Sequence, residues 1–300
     1  MDMLKKVRKA IIPAAGFGTR FLPATKAQPK EMLPVVDKPI IQYVVEDAVK
    51  AGVEDIIIVS GWHKRNIEDH FDYPFELEQR LEQAGKHEEL EEIRRISNLA
   101  NFYFLRQKGP MGNATPIWNA RNIIGDEPFL VLFGDDFIEA SPSRSEQLVT
   151  AYEEVGGSAI LGGIAAFKPE DYKRYGYAAG SQVQDGILKI EKVIEKPGTP
   201  LEGQHYAAVS GSLYDPEIFN AIEESMKRLK NGTMTGENGY IDAVNILLER
   251  GKLCYAAEIK NGHYYDCGNK LEYLKAVVEF GLKHQELNAE FSEYLKHLPL

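Results

Sequence analysis

The sequence predicts an α/β fold, a mixed, mainly parallel sheet flanked by helices, with a β-rich subregion in the second half. Three observations predict it. Short apolar runs alternate with amphipathic segments through the first half, the pattern of a sheet covered by helices. Beyond Tyr175 the apolar runs crowd together, separated by Gly and Asp turns such as Asp185-Gly186. Helical periodicity then returns and continues toward the C-terminus.

Taken in order, strands are expected over Val7–Ala14, Asp55–Ser60, Asn101–Arg106, Phe129–Phe133 and Ser158–Ala165. Helices are expected between them at about Ile40–Ala51, Lys64–His70, Pro116–Ile124 and Ser143–Val155. Phe75 to Leu99 is long, charged and helix-favouring, so a helical excursion suits it better than a structureless loop. Tyr175–Ser181, Ile187–Ile194 and Tyr206–Tyr214 read as strands, and Pro216–Lys230, Tyr240–Arg250 and Lys270–Lys283 as helices. No internal repeat or Pro/Ser linker divides the chain, which favours one continuous unit.

An apolar fraction of 44% is enough to build a sizeable core. The net charge of -10 argues against a general nucleic-acid binder, which needs a basic face. Positive charge is nevertheless concentrated locally: residues 1–40 hold eight Lys or Arg against three Asp or Glu. A small polyanionic substrate is therefore compatible with an acidic protein. Cys254 and Cys267 have neither CxxC spacing nor a metal-ligand cluster and read as reduced thiols in a cytoplasmic protein. The apolar stretch Ala10–Ala15 is too short for a signal peptide, and no run approaches membrane-spanning length, so no membrane partner is expected.

The segment from Ile11 to Lys30 carries the first chemistry. Ala14, Ala15, Gly16 and Gly18 follow a buried strand, and their small side chains let backbone N–H groups approach phosphate oxygens. Thr19 closes the loop, Arg20 offers a forked cation, and Lys30 adds a second charge. A dinucleotide-binding loop would place glycine where Phe21 stands, and a P-loop would require Gly-Lys-Ser/Thr; neither occurs. The glycines alone fit a phosphate cradle and a tight strand-to-helix turn equally well.

The residues that follow narrow the choice. Leu22-Pro23, Lys26, Pro29-Lys30-Glu31-Met32-Leu33-Pro34 and Lys38-Pro39 resemble the signature of the sugar-nucleotide pyrophosphorylases, especially the bacterial members that transfer uridylyl groups. The likeness continues through Ile41–Val45, resumes at Asn66–Asp72, and returns at Asp266-Cys267-Gly268-Asn269-Lys270. It spans most of the chain, with the motifs in the family's order.

That resemblance implies a Rossmann-like fold of the nucleotide-diphospho-sugar transferase type, in a single domain over residues 1–300. The nucleotide-binding part would run to about 140, the sugar-binding part to about 265, and a helical tail to the end. It implies magnesium-assisted transfer of a uridylyl group from UTP to glucose 1-phosphate, by in-line attack without a covalent intermediate. Gly134-Asp135-Asp136 follows an apolar strand at the edge where parallel sheets bind ligands, although a paired-Asp turn is more often a polar loop. The family assigns Asp135 and Asp266 to the metal; Asp136 either touches the sugar or holds the turn. Gln107, at a strand end, would read the pyrimidine with its two-faced amide, and Gly112 would bring backbone near the base. Gly176 would leave room for the sugar, Glu195 would accept from its hydroxyls, and Lys196 would neutralise its phosphate. Read without the family, Lys192, Glu195 and Lys196 form a solvated charge cluster. Arg20, Lys30 and Lys196 are the expected catalytic cations.

The chain departs from the family twice. A glycine-leucine-glycine-histidine-alanine stretch is replaced by Pro110-Met111-Gly112-Asn113-Ala114-Thr115-Pro116, where Thr115-Pro116 reads as an N-cap with an N1 proline. Glu237-Asn238-Gly239-Tyr240-Ile241-Asp242 keeps the family's acidic ends but not the residues between them. His63, His70, His205 and His263 show no metal spacing or triad partner, and Trp62 and Trp118 read as packing residues. Tyr264 and Tyr265 either pack behind Asp266 or end a core strand. Two rival readings stay open at this level: the same chemistry with dTTP or another hexose phosphate, and a non-catalytic nucleotide-sugar sensor. The family also implies a homodimer or homotetramer.

Overall fold

The computed structural model describes residues 5–165 and 168–299; residues 1–4, 166–167 and 300, including both ends of the expected unit, lie outside the described residues. The strands are β1 (Lys9–Ala14), β2 (Pro34–Val35), β3 (Lys38–Pro39), β4 (Asp55–Ser60), β5 (Asn101–Arg106), β6 (Phe129–Val131) and β7 (Phe137–Ala140). They continue as β8 (Ala159–Ile164), β9 (Gly176–Gln184), β10 (Ile187–Glu195), β11 (His205–Tyr214), β12 (Cys254–Glu258) and β13 (Gly262–Tyr265). The helices are α1 (Ile40–Lys50), α2 (Arg65–Phe71), α3 (Phe75–Gln83), α4 (His87–Ser97), α5 (Ala114–Asn119) and α6 (Arg121–Ile124). After them come α7 (Arg144–Val155), α8 (Glu217–Lys230), α9 (Tyr240–Glu249), α10 (Lys270–Lys283) and α11 (Asn288–Lys296).

Nine strands form one mixed sheet in the order β5-β4-β1-β6-β11-β8-β12-β10-β9. The first four pair in parallel; β11 then enters antiparallel to β6, and of the pairs beyond it only β8 with β12 is parallel. Period-two alternation explains why both faces are apolar. Ala10, Ile12, Ile56 and Ile58 point into one core, while Ile11, Ile57, Val59 and Val131 point into the other. The helical excursion between β4 and β5 is present as α3 and α4. The expected strand over 129–133 ends at Val131, but Leu132 N–H still reaches Ile11 O at 3.0 Å, so the chain stays aligned as far as the acidic turn.

A capping box at Ser143 starts α7, its hydroxyl accepting from Glu146 N–H while Glu146 accepts from Ser143 N–H. This start places the fully buried Arg144 against Asp47 of α1 at 2.8 Å, with Ser145 Oγ donating to the same carboxylate at 2.8 Å. Breaking such a buried pair by removing one partner costs about 3–5 kcal/mol, so α1 and α7 hold together as a unit. Arg144 also faces Asp136 at 3.8 Å, which ties the turn after β6 to this framework.

Candidate active site

The parallel strands β1, β4, β5 and β6 deliver their C-terminal ends to one edge of the sheet, where open α/β sheets bind ligands. A cleft of about 420 Å³ opens there, with Gly16 following β1, Trp62 and His63 following β4, Gln107 following β5, and Asp135 following β6. An adjoining cleft of about 410 Å³ is lined by Glu195, Lys196, Thr235, Tyr240 and Asp242. Gly112, Asn113 and Glu237 line both.

The glycine loop is shaped by its contacts with Lys30. Gly18 has φ +66°, and a Cβ there would lie 3.1 Å from Lys30 Cβ and 3.2 Å from Thr25 Cγ2. Thr25 Oγ1 donates to Gly18 O at 2.7 Å and holds the loop from behind. Arg20 is exposed in the single 3-10 turn Thr19–Phe21 that begins at Thr19. Ala14 is buried at the end of β1, while Ala15 and Gly16 turn toward the cleft.

Five charged groups, Lys30, Asp135, Asp266, Arg174 and Arg20, meet beyond this loop. Lys30 Nζ is ion-paired with Asp135 Oδ2. Burial alone would lower the Lys30 pKa, but facing Asp135 and Glu31 it ends above its ordinary value. Asp266 Oδ2 is held by Arg174 Nη2 at 2.8 Å. A Cβ added to Gly268 would lie 2.9 Å from Asp135 Oδ2, 3.0 Å from Arg20 Nη2 and 3.2 Å from Asp266 Oδ1. Two carboxylates more than a hundred residues apart in sequence and one guanidinium thus surround a point that a glycine leaves open. Among the described residues no group of three or more His, Cys, Asp or Glu forms a metal cage. The pair of carboxylates suits magnesium, which takes one or two and leaves its remaining positions to phosphate and water.

Beneath Lys30 lies a pair that the sequence did not reveal. Lys64 Nζ donates to Glu31 Oε2 at 2.7 Å, each side chain being only 1% exposed. Burial pushes the Glu31 carboxyl up and the Lys64 ammonium down, against their mutual attraction. Charges alternate along Lys64, Glu31, Lys30 and Asp135, so the buried pair orients the cation that faces the cleft.

Gln107 N–H donates to Ser60 O at 2.9 Å, which fixes its backbone at the cleft edge beside Gly109 and Met111. At the adjoining cleft, a Cβ at Gly176 would come within 3.0 Å of Glu195 Oε2 and 2.4 Å of Ile241 Cδ1, so only glycine fits. Glu195 Oε1 pairs with Lys196 Nζ at 2.9 Å. Lys196 adopts φ +43°, a left-handed conformation that costs a non-glycine residue about 1–3 kcal/mol.

Several expectations change. Thr115 does not cap the following helix: α5 begins at Ala114 with Asn113 in the cap position, and the Thr115 hydroxyl donates to Pro110 O at 2.8 Å. Pro116 is tolerated because it still lies in the first turn, where N–H groups have no helical partner. Asp136 accepts from Tyr264 Oη at 3.2 Å and faces Arg144 at 3.8 Å, contacts that hold the turn. Tyr264 and Tyr265 belong to β13, which pairs antiparallel with β7 behind the acidic turn. Trp62 is 81% exposed on the rim of the larger of the two clefts, touching His63 edge-on with ring centroids 5.4 Å apart. His63 stacks on Phe17 with ring centroids 4.9 Å apart. Arg174, Glu31 and Lys64 carry no spacing signal of their own, since their partners are distant in sequence.

A nucleotidyl transferase family model matches residues 9–281. The UTP–glucose-1-phosphate uridylyltransferase of Bacillus subtilis (strain 168) is 44% identical over 295 residues, covering 98% of each chain. A protein of the same name from Staphylococcus epidermidis (strain RP62A) is 42% identical over 297 residues, covering 99% of this chain and all of its own. Among solved structures, a UTP-bound UGPase from Acinetobacter baumannii superposes with a TM-score of 0.86 at 32% identity, covering 97% of this chain and 99% of that one. A UDP-glucose pyrophosphorylase complexed with UDP-glucose gives 0.79 at 35% identity, covering 93% and 100%.

Proposed function

We infer the mechanism from the premise that this chain belongs to the nucleotidyl transferase family. It is a UTP–glucose-1-phosphate uridylyltransferase-type enzyme, forming UDP-glucose and pyrophosphate from UTP and glucose 1-phosphate. The observation that carries the mechanism is the convergence of Arg20, Asp135 and Asp266 on the open point at Gly268, with Lys30 paired to Asp135. Charge crowding is the main obstacle when a phosphate attacks a triphosphate, and fixed cations lower it.

In this reading the backbone of residues 14–18, with Thr19, Arg20 and Lys30, receives the triphosphate. Gln107 and the Gly112 backbone hold the uracil; Gly176 and Glu195 hold the glucose. Lys196 orients the sugar phosphate so that its oxygen attacks the α-phosphorus in line, and pyrophosphate leaves. Asp135 and Asp266 would hold magnesium, which when bound screens phosphate charge. Lys30 and Arg174 neutralise those carboxylates, and an arriving phosphate lets Lys30 exchange a carboxylate partner for a phosphate one. No residue of the cleft is set up as an activated nucleophile, which supports direct transfer. One catalytic unit, a cytoplasmic setting in which Cys254 and Cys267 stay reduced, and a homodimer or homotetramer complete the proposal; both thiols are free and buried, and no helix among the described residues is long and apolar enough to cross a membrane.

A pyrophosphate-release assay crossing UTP, dTTP, ATP and GTP with several sugar phosphates tests the whole reading. UTP with glucose 1-phosphate is expected to give the highest kcat/KM, and Asp135→Asn to lose at least about a thousandfold with its melting temperature kept. Faster turnover of dTTP would overturn the substrate reading; a fully active Asp135→Asn would overturn the metal ligand.

A further inference from the structure

The two departures from the family, at Met111–Thr115 and Asn238–Ile241, are far apart in sequence but bonded to each other in space. Asn238 is fully buried, and its polar groups are all engaged. Its N–H donates to Met111 O at 2.9 Å, and its carbonyl accepts from Ala114 N–H at 3.0 Å. Its side-chain Oδ1 accepts from Ser225 Oγ at 2.9 Å, while Nδ2 donates to Thr115 Oγ1 at 3.1 Å. The Thr115 hydroxyl already donates to Pro110 O, so it can only accept from Asn238, and the amide has one orientation. Gly112 has φ +133° and lies so close that a Cβ would fall 2.1 Å from Asn238 O. A second stitch joins Asn113 Oδ1, as acceptor, to Tyr240 N–H at 2.9 Å.

This latch lies where the clefts meet, since Gly112, Asn113 and Glu237 line both. We propose that Asn238 is a positioning residue that fixes one wall shared by the nucleotide and sugar clefts, so that both substrates are sited by the same buried amide. The inference rests on the function proposed above. A loop at a binding edge ordinarily moves independently of a neighbouring helix start. Here the base-side loop cannot shift without dragging the segment that opens α9.

The test measures pyrophosphate release at varied UTP and at varied glucose 1-phosphate, with melting temperatures, for Asn238→Ala and the milder Thr115→Val. Asn238→Ala is expected to raise both KM values by about tenfold while kcat changes by less than about threefold. Thr115→Val, which removes the hydroxyl and with it both the acceptor for Asn238 and the donor to Pro110, is expected to move both in the same direction by about threefold. Gln147→Ala serves as the structural control, because Gln147 likewise ties backbone of distant segments, at Pro142 and Lys260, away from both clefts. It is expected to lower the melting temperature and leave both KM values alone. The proposal falls if folded Asn238→Ala keeps both KM values within about twofold, or moves only one, or if Gln147→Ala moves them equally. Should Asn238→Ala not fold, Thr115→Val decides by the same criteria. Absence of UTP-dependent turnover in the unmodified enzyme would overturn the functional reading instead, a result the variants cannot mimic.

Discussion

At Gly268 the missing side chain matters because of its surroundings. Asp135, Asp266 and Arg20 each present a polar atom within 3.2 Å of where a Cβ would stand. Its φ lies outside the left-handed region, so alanine fits the chain, but its methyl group would push against these three side-chain tips. Gly268→Ala is therefore expected to cut kcat/KM by at least about tenfold while shifting stability by less than about 1 kcal/mol. Kinetics and a urea titration check both halves, and an unimpaired variant would mean that this point lies outside the reaction path. Residues of this kind were legible in the sequence only through motif. Asp135 and Asp266 fall in recognisable stretches, and the fold brings them together. Arg174, by contrast, shows its meaning only through its 2.8 Å contact with Asp266, and Lys64 only through Glu31. A long-range ion pair leaves no periodic trace in a single sequence.

Among the elements, β10 ends where function and backbone comfort conflict. Its last residue, Glu195, is followed by Lys196 at φ +43°, a position that glycine would occupy without strain. Lys196→Gly is expected to leave stability unchanged or raise it by up to about 1 kcal/mol, yet to lower kcat/KM for glucose 1-phosphate by at least about a hundredfold. Lost stability would mean that the lysine's packing outweighs its strain; retained activity would remove it from the sugar-phosphate site. The elements themselves were largely readable, because Ile56–Ile58 and the amphipathic α8 announce their periods. β7 and β13 were not assigned as a pair, since four-residue strands that pair only with each other lack the length for a pattern. The start of α5 departs from its sequence signal for a different reason. Thr115 carries a capping side chain, but Asn238, over a hundred residues away, and Pro110 claim its hydroxyl first.

For the whole molecule, the mixed sheet joins a parallel half to a largely antiparallel half across the β6–β11 pairing. The alternation of apolar runs and amphipathic segments foreshadows the sheet and its β-rich second half, while the strand order needs contacts that only the fold shows. What the likeness left unresolved is whether copies of the chain associate. The C-terminal tail offers a specific answer. α10 is fastened to the body by Tyr273 Oη donating to Pro34 O at 2.8 Å and by Phe280 packing against Tyr43, Phe137 and Tyr265. α11 returns along it, with Phe291 lying where a Cβ on Gly281 would be 2.9 Å away. Leu271 and Leu274 of α10 remain 59% exposed, as does Tyr294 of α11 at 61%, an apolar surface of the kind that associating proteins bury. Light scattering of the purified protein is expected to report a dimer or tetramer. Introducing Leu271→Glu and Leu274→Glu together is expected to shift it toward monomer, because burying two unpaired carboxylates at an interface is costly. Since Tyr273 and Phe280 are untouched, the melting temperature of each isolated chain should change little. An unmodified protein that runs as a monomer would remove the assembly from the proposal, and a double variant that keeps its full mass would move the interface away from the tail.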